Sequence, residues 1–336
     1  MITLISSLVI FLLVVMLHEF GHFTVAKLSG IKVNEFSIGM GPKLFQKKKG
    51  ETSYSLRALP IGGYVAMEGE EENSHDPRSF NNATILKRMA VVIAGAFMNF
   101  ILAFFAFTII FSIIGYGSNE IDKVIKDSPA EISGLKSGDI IIEIDKVKTK
   151  DIYEINSLIS NNEGEEINLK INRDGKNLEF NLKPKYSEEN KMYLIGITSK
   201  LKHSLFKSFQ LGAKRTLDIS LMILKSLKMI VDGSFKMEYL SGPVGVVQMI
   251  GSESSKGFLN FLQILALISA NLGVFNLLPI PALDGGKFLF LLIEAVKGNP
   301  INPKIEQKLT IIGMSILLSL MIYVTIFNDI GRLFSK

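Results

Sequence analysis

The sequence predicts an α-helical membrane protein with four transmembrane helices, a membrane-associated β-hairpin region and one inserted β-rich domain. Three observations support this fold class. Windows of about 20 residues with almost no charge alternate with windows dense in Lys, Asp and Glu. The longest interval between the apolar windows contains short β-type runs separated by turn signals. Lys and Arg are concentrated in loops on one side of the predicted spans.

Composition excludes several classes of protein. The chain has 336 residues, of which 48% are hydrophobic, in uneven blocks. This excludes a disordered chain and an ordinary soluble globule. Cys is absent, which excludes disulfides, iron–sulfur clusters and Cys-ligated zinc. The net charge of +5 comes from scattered Lys residues, and it gives no support for nucleic-acid binding.

Four uncharged stretches are long enough to cross a bilayer. The first follows directly from the N-terminus, and a signal peptide is disfavoured because the stretch has no basic start and no small-residue cleavage site. The second, third and fourth have apolar cores at Met89–Tyr116, Phe258–Leu278 and Leu309–Phe327. The predicted membrane segments are 1–28, 88–116, 258–286 and 309–336.

A fifth apolar stretch and the basic residues set the predicted topology. Thr216–Val231 carries Asp218 and two Lys residues, which favours an amphipathic surface helix within a linker at 201–257 over a true span. The positive-inside rule then places the loops 29–87 and 287–308 in the cytoplasm, and the N-terminus and residues 117–257 outside.

The first span contains a metal-binding motif. His18-Glu19-Phe20-Gly21-His22 is an HExxH sequence, and residues four apart share one face of a helix. Both imidazoles can therefore bind one ion, while Glu19 can take a proton from a water on that ion. Two surface histidines at helical spacing are the alternative, but both lie in an apolar span, where ionisable residues are costly.

A third ligand is expected because catalytic zinc takes three protein ligands. The candidate is Asp284, since Pro279 and Pro281 must unwind the chain after the third span. At 1.5 Å per residue, His18 lies about 24 Å and Asn276 about 27 Å along two spans that run inward. Asn99 can reach the same depth, either in the site or in a helix–helix hydrogen bond. The other two histidines, His75 and His203, are predicted to be solvated.

Residues 117–200 are predicted to form the inserted domain. Strands are predicted at Ile140–Ile144, Glu166–Ile171 and Asn177–Leu182, and a helix at Ile152–Ser160. The phrase Ser128–Ile141 resembles the signature of PDZ domains, which bind extended peptides by strand addition. A structural β-domain without a ligand is the alternative.

The loop 29–87 is predicted to contain a β-hairpin. Short alternating runs at Thr52–Leu56 and Gly63–Ala66 indicate strands, and Gly39, Gly41 and Pro42 indicate turns. A free sheet edge near the site can pair with an unwound substrate, which makes Gly62, Gly63 and Tyr64 candidate substrate-binding residues. The alternative is an ordinary cytoplasmic hairpin.

Together these motifs resemble the site-2 proteases, zinc intramembrane metalloproteases, in the bacterial branch with PDZ domains. The resemblance covers nearly the whole chain. It depends on HEFGH, FSIGMGP, LPIGGYVAMEGE, AGAFMNF, the PDZ signature, LSGPVG and NLLPIPALDGG. The chain departs from some relatives, which carry two PDZ domains, in having room for only one.

The resemblance implies a zinc-dependent intramembrane endopeptidase of the bacterial inner membrane that cleaves single-pass substrates. It implies one Zn²⁺ per chain on His18, His22 and Asp284, with Glu19 as the base. It also implies substrate contacts from Asn276, Pro279 and Pro281. Expected substrates are trimmed first on the outer side, for example anti-sigma factors or signal-peptide remnants. A zinc transporter and a non-catalytic PDZ scaffold are the alternatives.

Overall fold

The computed structural model describes residues 1–70, 74–234 and 240–331. Parts of the predicted loop 29–87, linker 201–257 and C-terminal segment 309–336 therefore lie outside the described residues. The chain divides into two compact units, one formed by Met1–Ile110 with Phe209–Lys336 and the other by Phe111–Ser208. In chain order the elements are α1 (Ile2–Leu28), β1 (Val33–Lys49), β2 (Thr52–Met67), α2 (Ile85–Ile114), β3 (Tyr116–Val124), α3 (Pro129–Ile132), β4 (Ile140–Ile144), β5 (Val147–Lys148), α4 (Ile152–Asn161), β6 (Ile167–Arg173), β7 (Lys176–Leu182), β8 (Lys185–Ser187), β9 (Met192–Leu194), β10 (Ile197–Lys202), α5 (Leu205–Val231), α6 (Pro243–Ser255), α7 (Phe258–Asn276), α8 (Asp284–Lys297) and α9 (Pro303–Val324).

Four helices in the described ranges are long and apolar enough to cross a membrane, and they coincide with the four predicted spans. They are α1, α2, α7 and α9, the last of which continues through a π-helical turn, Thr325–Ile330. These long apolar helices are confirmed by their length and composition, and the number of bilayer crossings stays a prediction. Helix α7 ends at Asn276 because the two prolines that follow cannot continue an α-helix.

The amphipathic stretch forms α5, which begins eleven residues before the predicted start at Thr216. Its buried residues recur every three or four positions along one face, as at Leu211, Ile219 and Ile223. Helix α5 is not among the candidate spans found in the described residues. The sequence did not predict α6 in the linker or α8 in the cytoplasmic connection.

The start of α6 is fixed by the end of the last span. Asp329, in the π-helical turn, is buried. Its carboxylate accepts hydrogen bonds from the backbone N–H of Gly242 at 2.9 Å and of Gly245 at 3.0 Å. A carboxylate at a helix N-terminus satisfies N–H groups that have no partner inside the helix. The LSGPVG stretch is thereby attached to the last span.

Strands β1 and β2 form one antiparallel sheet that turns at Gly50 and folds back on itself. Lys49 pairs with Thr52 at the turn, but Phe36 has two partners, Val65 on one side and Tyr54 on the other. The run 36–38 is therefore an inner strand of the sheet. On its far side, the run 63–67 has no further strand partner among the described residues. This run is a sheet edge.

The predicted turns within this region were wrong. Gly39 and Gly41 both have φ of +83° and lie inside β1, where the register shifts along the ladder. A glycine with positive φ makes a bulge that bends a strand without ending it, and Pro42 beside them lacks the N–H that pairing needs. The two predicted short strands likewise belong to a single strand, β2.

Arg57 joins the bulge to the inner strand. It donates hydrogen bonds to Glu35 at 2.9 Å, to Ser37 Oγ at 3.0 Å, to the Gly41 carbonyl at 2.7 Å and to the Tyr64 hydroxyl. Burial raises the pKa of Glu35, but hydrogen bonds from Ser55, Arg57 and Tyr64 outweigh it and lower that pKa to about 2. Glu35 is therefore ionised at neutral pH and holds Arg57 in place.

The unit Phe111–Ser208 contains the predicted β-rich inserted domain. Its main sheet has the order β10-β3-β4-β6-β7, with β5 on β4. The predicted strands and helix are confirmed, with ends displaced by at most two residues. Buried isoleucine and leucine side chains from its strands and helices form most of its core. Asp139 of the PDZ-like signature is buried and forms a bidentate ion pair with Arg173, with N···O distances of 2.6 and 2.7 Å.

Candidate active site

Three predicted ligands converge in the unit that contains the long apolar helices. His18 and His22 lie one turn apart on α1, and Asp284 is the first residue of α8. Asp284 Oδ2 lies 3.2 Å from His18 Nε2 and 3.4 Å from His22 Nε2. The two Nε2 atoms are 3.2 Å apart. The helix spacing and the proline-induced break thus bring the three side chains to one point.

The cluster fits a tetrahedral metal ion. Ligand atoms about 2.0–2.2 Å from such an ion lie about 3.3–3.6 Å from one another, close to the separations seen here. Asp284 Oδ2 is buried and accepts no hydrogen bond from the described residues. His22 Nδ1 donates to the Val91 carbonyl at 2.8 Å, which turns Nε2 toward the cluster. A carboxylate and two imidazoles without Cys suit zinc in a catalytic site.

Two glycines let α1 and α2 approach closely beside the ligands. A Cβ on Gly95 would lie 2.3 Å from His22 Nε2 and 2.7 Å from His18 Cε1. A Cβ on Gly21 would lie 2.4 Å from the Ala94 carbonyl oxygen. Sequence reasoning missed both residues, although small residues in an apolar span are the usual signal of a helix–helix contact.

Backbone packing fixes Asp284 at the start of α8. A Cβ on Gly285 would meet the Leu278 carbonyl oxygen at 2.2 Å, and one on Gly286 would meet that of Ile280 at 2.3 Å. The proline-containing loop therefore folds directly onto the helix N-terminus, where a carboxylate is favoured electrostatically. The loop also contacts α9, where a Cβ on Gly313 would lie 2.0 Å from the Pro281 carbonyl oxygen.

Two candidate amides lie next to His18 Nδ1, the ring nitrogen that does not face the ligand cluster. Asn99 Nδ2 is 3.2 Å from His18 Nδ1, and Asn276 Nδ2 is 3.5 Å from the same atom. Asn99 is fully buried, and its backbone carbonyl accepts a hydrogen bond from Ser269 at 2.8 Å. Asn276 is partly exposed at the end of α7. The structure thus places Asn99 behind a ligand, and Asn276 at the border of the site.

The sheet edge passes beside Glu19. A Cβ on Gly63 would lie 3.2 Å from Glu19 Cγ and 2.8 Å from the Ser37 carbonyl oxygen. Gly62 lies against the Met40 side chain, and the Tyr64 hydroxyl accepts a hydrogen bond from Arg57. The structure therefore brings the backbone of Gly63 next to Glu19, while Gly62 packs on Met40 and the Tyr64 side chain is held within the sheet.

The remaining candidates lie apart from the ligand cluster. Pro279 is exposed in the loop before α8. His75 is also exposed, and His203 Nδ1 lies 3.3 Å from the Ser112 carbonyl in the inserted unit. Among the described residues, the cluster able to hold a metal consists of His18, His22 and Asp284.

Comparisons with known proteins identify the family of the chain. The sequence profile of Peptidase family M50 matches residues 6–320. The chain is 40% identical to a putative zinc metalloprotease of Clostridium acetobutylicum over 96% of both chains. It is 32% identical to the regulator of sigma-W protease RasP of Bacillus subtilis over 99% of both chains.

A solved structure also resembles part of the chain. The PDZ domain of an SdrC-like protein from Listeria monocytogenes matches 25% of this chain and 86% of its own, with 27% identity and a TM-score of 0.23. The resemblance predicted from the motifs is confirmed by the profile and by the full-length relatives. The chain belongs to peptidase family M50, the site-2 proteases, and is a metalloprotease of that type.

Proposed function

We propose that this chain is an intramembrane endopeptidase that uses one zinc ion to cleave single-pass membrane proteins. The supporting observation is the convergence of His18 and His22, on a helix apolar enough to span a bilayer, with Asp284 at the start of α8. Asp284 Oδ2, buried without a hydrogen bond from the described residues, is the atom for which a cation is the simplest partner.

The two histidines and Asp284 would hold the ion, and Glu19 would perform the proton transfers. Bound zinc supplies a Lewis acid that polarises the scissile carbonyl and lowers the pKa of an attacking water. Glu19 takes the proton of that water and gives it to the leaving amine. Glu19 interacts electrostatically with His22, His18 and Asp284, and this proximity supports its proposed role as the base.

The sheet edge at 63–67 would hold the substrate. A helical peptide bond is shielded within its own turn, so the substrate must unwind before cleavage. An unwound segment can then pair with the backbone of this edge, as in other cases of strand addition. Gly63, with Gly62 before it, offers backbone without a side chain beside Glu19. The partly exposed Asn276 borders the same site, and the exposed Pro279 would contact the substrate from the loop before α8.

The proposed membrane topology follows the positive-inside rule, with the site toward the cytoplasmic side of a bacterial inner membrane. The inserted domain then lies outside and filters substrates already trimmed there. The Bacillus subtilis relative is named as a regulator of sigma-W. An anti-sigma factor or a signal-peptide remnant is the proposed class of substrate.

Metal removal should abolish cleavage reversibly. We expect the detergent-purified full chain to contain one zinc per chain and to cleave a single-span reporter. A chelator should lower the rate at least about 100-fold, and added Zn²⁺ should restore it, because the attacking water loses its activation without the ion. Metal content by mass spectrometry and reporter cleavage on gels measure both quantities in one preparation.

Intramembrane proteolysis also predicts the position at which the reporter is cut. Cleavage must occur within the apolar segment of the reporter, and its position is read by mass spectrometry of the products. Full cleavage by a folded, metal-free chain would contradict the proposed role of zinc. Cleavage confined to soluble flanking segments would contradict intramembrane proteolysis.

A side chain at position 63 should impair cleavage without removing zinc. Gly63→Ala places a Cβ 2.8 Å from the Ser37 carbonyl oxygen and 3.2 Å from Glu19 Cγ, so the strand edge must shift. Misplacement of a positioning element by about 1 Å costs on the order of 10²-fold in rate. We expect that loss in reporter cleavage, with zinc content unchanged because the new atom does not contact a ligand.

Gly331→Ala is the matched control for this substitution. Gly331 has helical φ, and no atom of the described residues lies within 4 Å of the place a Cβ would take. That variant should cleave at the wild-type rate. Wild-type cleavage by Gly63→Ala as well would show that the sheet edge is not part of substrate positioning.

A further inference from the structure

The polar contact behind His18 has a hydrogen-bonding mismatch. Asn99 Nδ2 faces His18 Nδ1 at 3.2 Å, while Asn99 Oδ1 is buried without a donor among the described residues. Asn99 has no exposed surface and His18 is nine-tenths buried, so neither group faces bulk solvent. A buried amide oxygen without a donor is costly and needs an explanation.

Metal binding determines which way the amide must point. When an imidazole binds a metal through Nε2, its Nδ1 carries the proton and becomes a donor. A donor on His18 Nδ1 cannot face the donating NH₂ of Asn99. Exchange of the Asn99 oxygen and nitrogen moves no heavy atom significantly, because the two ends of an amide have nearly the same shape. The exchanged amide presents Oδ1 to His18 Nδ1.

We infer that Asn99 is a positioning residue whose side-chain oxygen accepts the His18 Nδ1 proton and so aims Nε2 at the metal. The inference rests on the proposed metal site. The proposed hydrogen bond resembles the one made by the other histidine ligand, where His22 Nδ1 donates to the Val91 carbonyl. Both imidazoles of α1 would then be oriented by acceptors on α2, one from a side chain and one from the backbone.

Asn276 is the weaker candidate for the same role. Its Nδ2 lies 3.5 Å from His18 Nδ1, at the limit of a hydrogen bond, and the residue is partly exposed. One proton on Nδ1 makes one strong hydrogen bond, and the buried Asn99 is the closer partner. Asn276 thereby stays free to contact a substrate.

Zinc affinity tests this inference independently of cleavage. The experiment uses the detergent-purified full chain, a chromophoric chelator as competitor for Zn²⁺, and the visible spectrum of the Co²⁺-substituted chain. Asn99→Leu keeps the branched shape and the number of side-chain heavy atoms but removes the acceptor, and loss of such an outer partner weakens metal binding by about 10- to 100-fold. We expect that loss of affinity together with an altered Co²⁺ spectrum.

Asn99→Asp distinguishes the two orientations of the amide. A carboxylate accepts the His18 proton but has no NH₂ to donate, so this variant should bind zinc within about threefold of wild type. Thr108→Val is the control, because Thr108 is buried on the same helix and the change also replaces a polar group by an apolar one of similar shape. It should bind zinc as wild type does.

Three outcomes separate the possibilities. Wild-type affinity in Asn99→Leu would overturn the inference, and weak binding by both Asn99 variants would show that the NH₂ is the group that matters. Absence of zinc from the folded wild-type chain would instead overturn the proposed metal site itself.

Discussion

Glu19→Gln is expected to abolish cleavage while leaving zinc bound. The amide has the same size as the carboxylate but cannot accept a proton, and Glu19 is not one of the three ligands that converge on the site. Removal of a general base costs about 10²- to 10⁴-fold in rate. Zinc content and reporter cleavage, measured on the same detergent-purified sample, check both parts of the prediction.

Glu188→Gln is the matched control, because Glu188 is exposed in the inserted unit. It should retain both zinc and activity. A Glu19→Gln chain that binds one zinc and cleaves at the wild-type rate would remove Glu19 from the mechanism. Loss of zinc in that variant would show that Glu19 contributes to metal binding.

Gly95→Ala is expected to reduce cleavage by a similar factor, but through loss of zinc rather than loss of the base. The added Cβ would lie 2.3 Å from His22 Nε2 and within 2.8 Å of two atoms of the His18 ring. Real Cβ atoms do not approach other atoms so closely, so one or both imidazoles must leave their positions. We expect at least about a 100-fold loss of zinc affinity and a loss of cleavage that follows it.

A chelator competition measures the zinc affinity of Gly95→Ala, and thermal unfolding in excess zinc shows whether the chain remains folded. Gly331→Ala again serves as a glycine-to-alanine change in open space. Zinc affinity and cleavage equal to wild type in a folded Gly95→Ala chain would show that the two helices separate easily at this point. The close approach of α1 and α2 would then not be essential to the site.

The ligands could be predicted because each has a local cause. Residues 18 and 22 share a helix face because they are four positions apart. Pro279 and Pro281 predict that the helix ends before Asp284. Gly95 could not be found in the same way. Its importance depends on which face of α2 meets α1, and neither span shows a distinct apolar stripe that would indicate this.

The β region shows a different limit of sequence reasoning. Gly39 and Gly41 were predicted to form turns, and both have positive φ, but a glycine does not distinguish a turn from a bulge within a strand. The double pairing of Phe36 with Tyr54 and Val65 joins segments 18 and 29 residues away, which short alternating runs cannot reveal. Helix α8 was missed because its Gly285-Gly286 start resembles a loop, whereas those glycines permit close backbone contact.

The last apolar helix contacts the rest of its unit at two places. Gly313 packs against the backbone of Pro281, and Asp329 accepts a hydrogen bond from the N–H of Gly242 at the start of α6. Gly313 and Asp329 are 16 positions apart, which is about 24 Å along the helix, and most of the side chains between them are exposed. Apolar substitutions there should be well tolerated in family members. An added or deleted residue would turn one attachment about 100° away from the other, so the length of this segment is constrained far more tightly than its sequence.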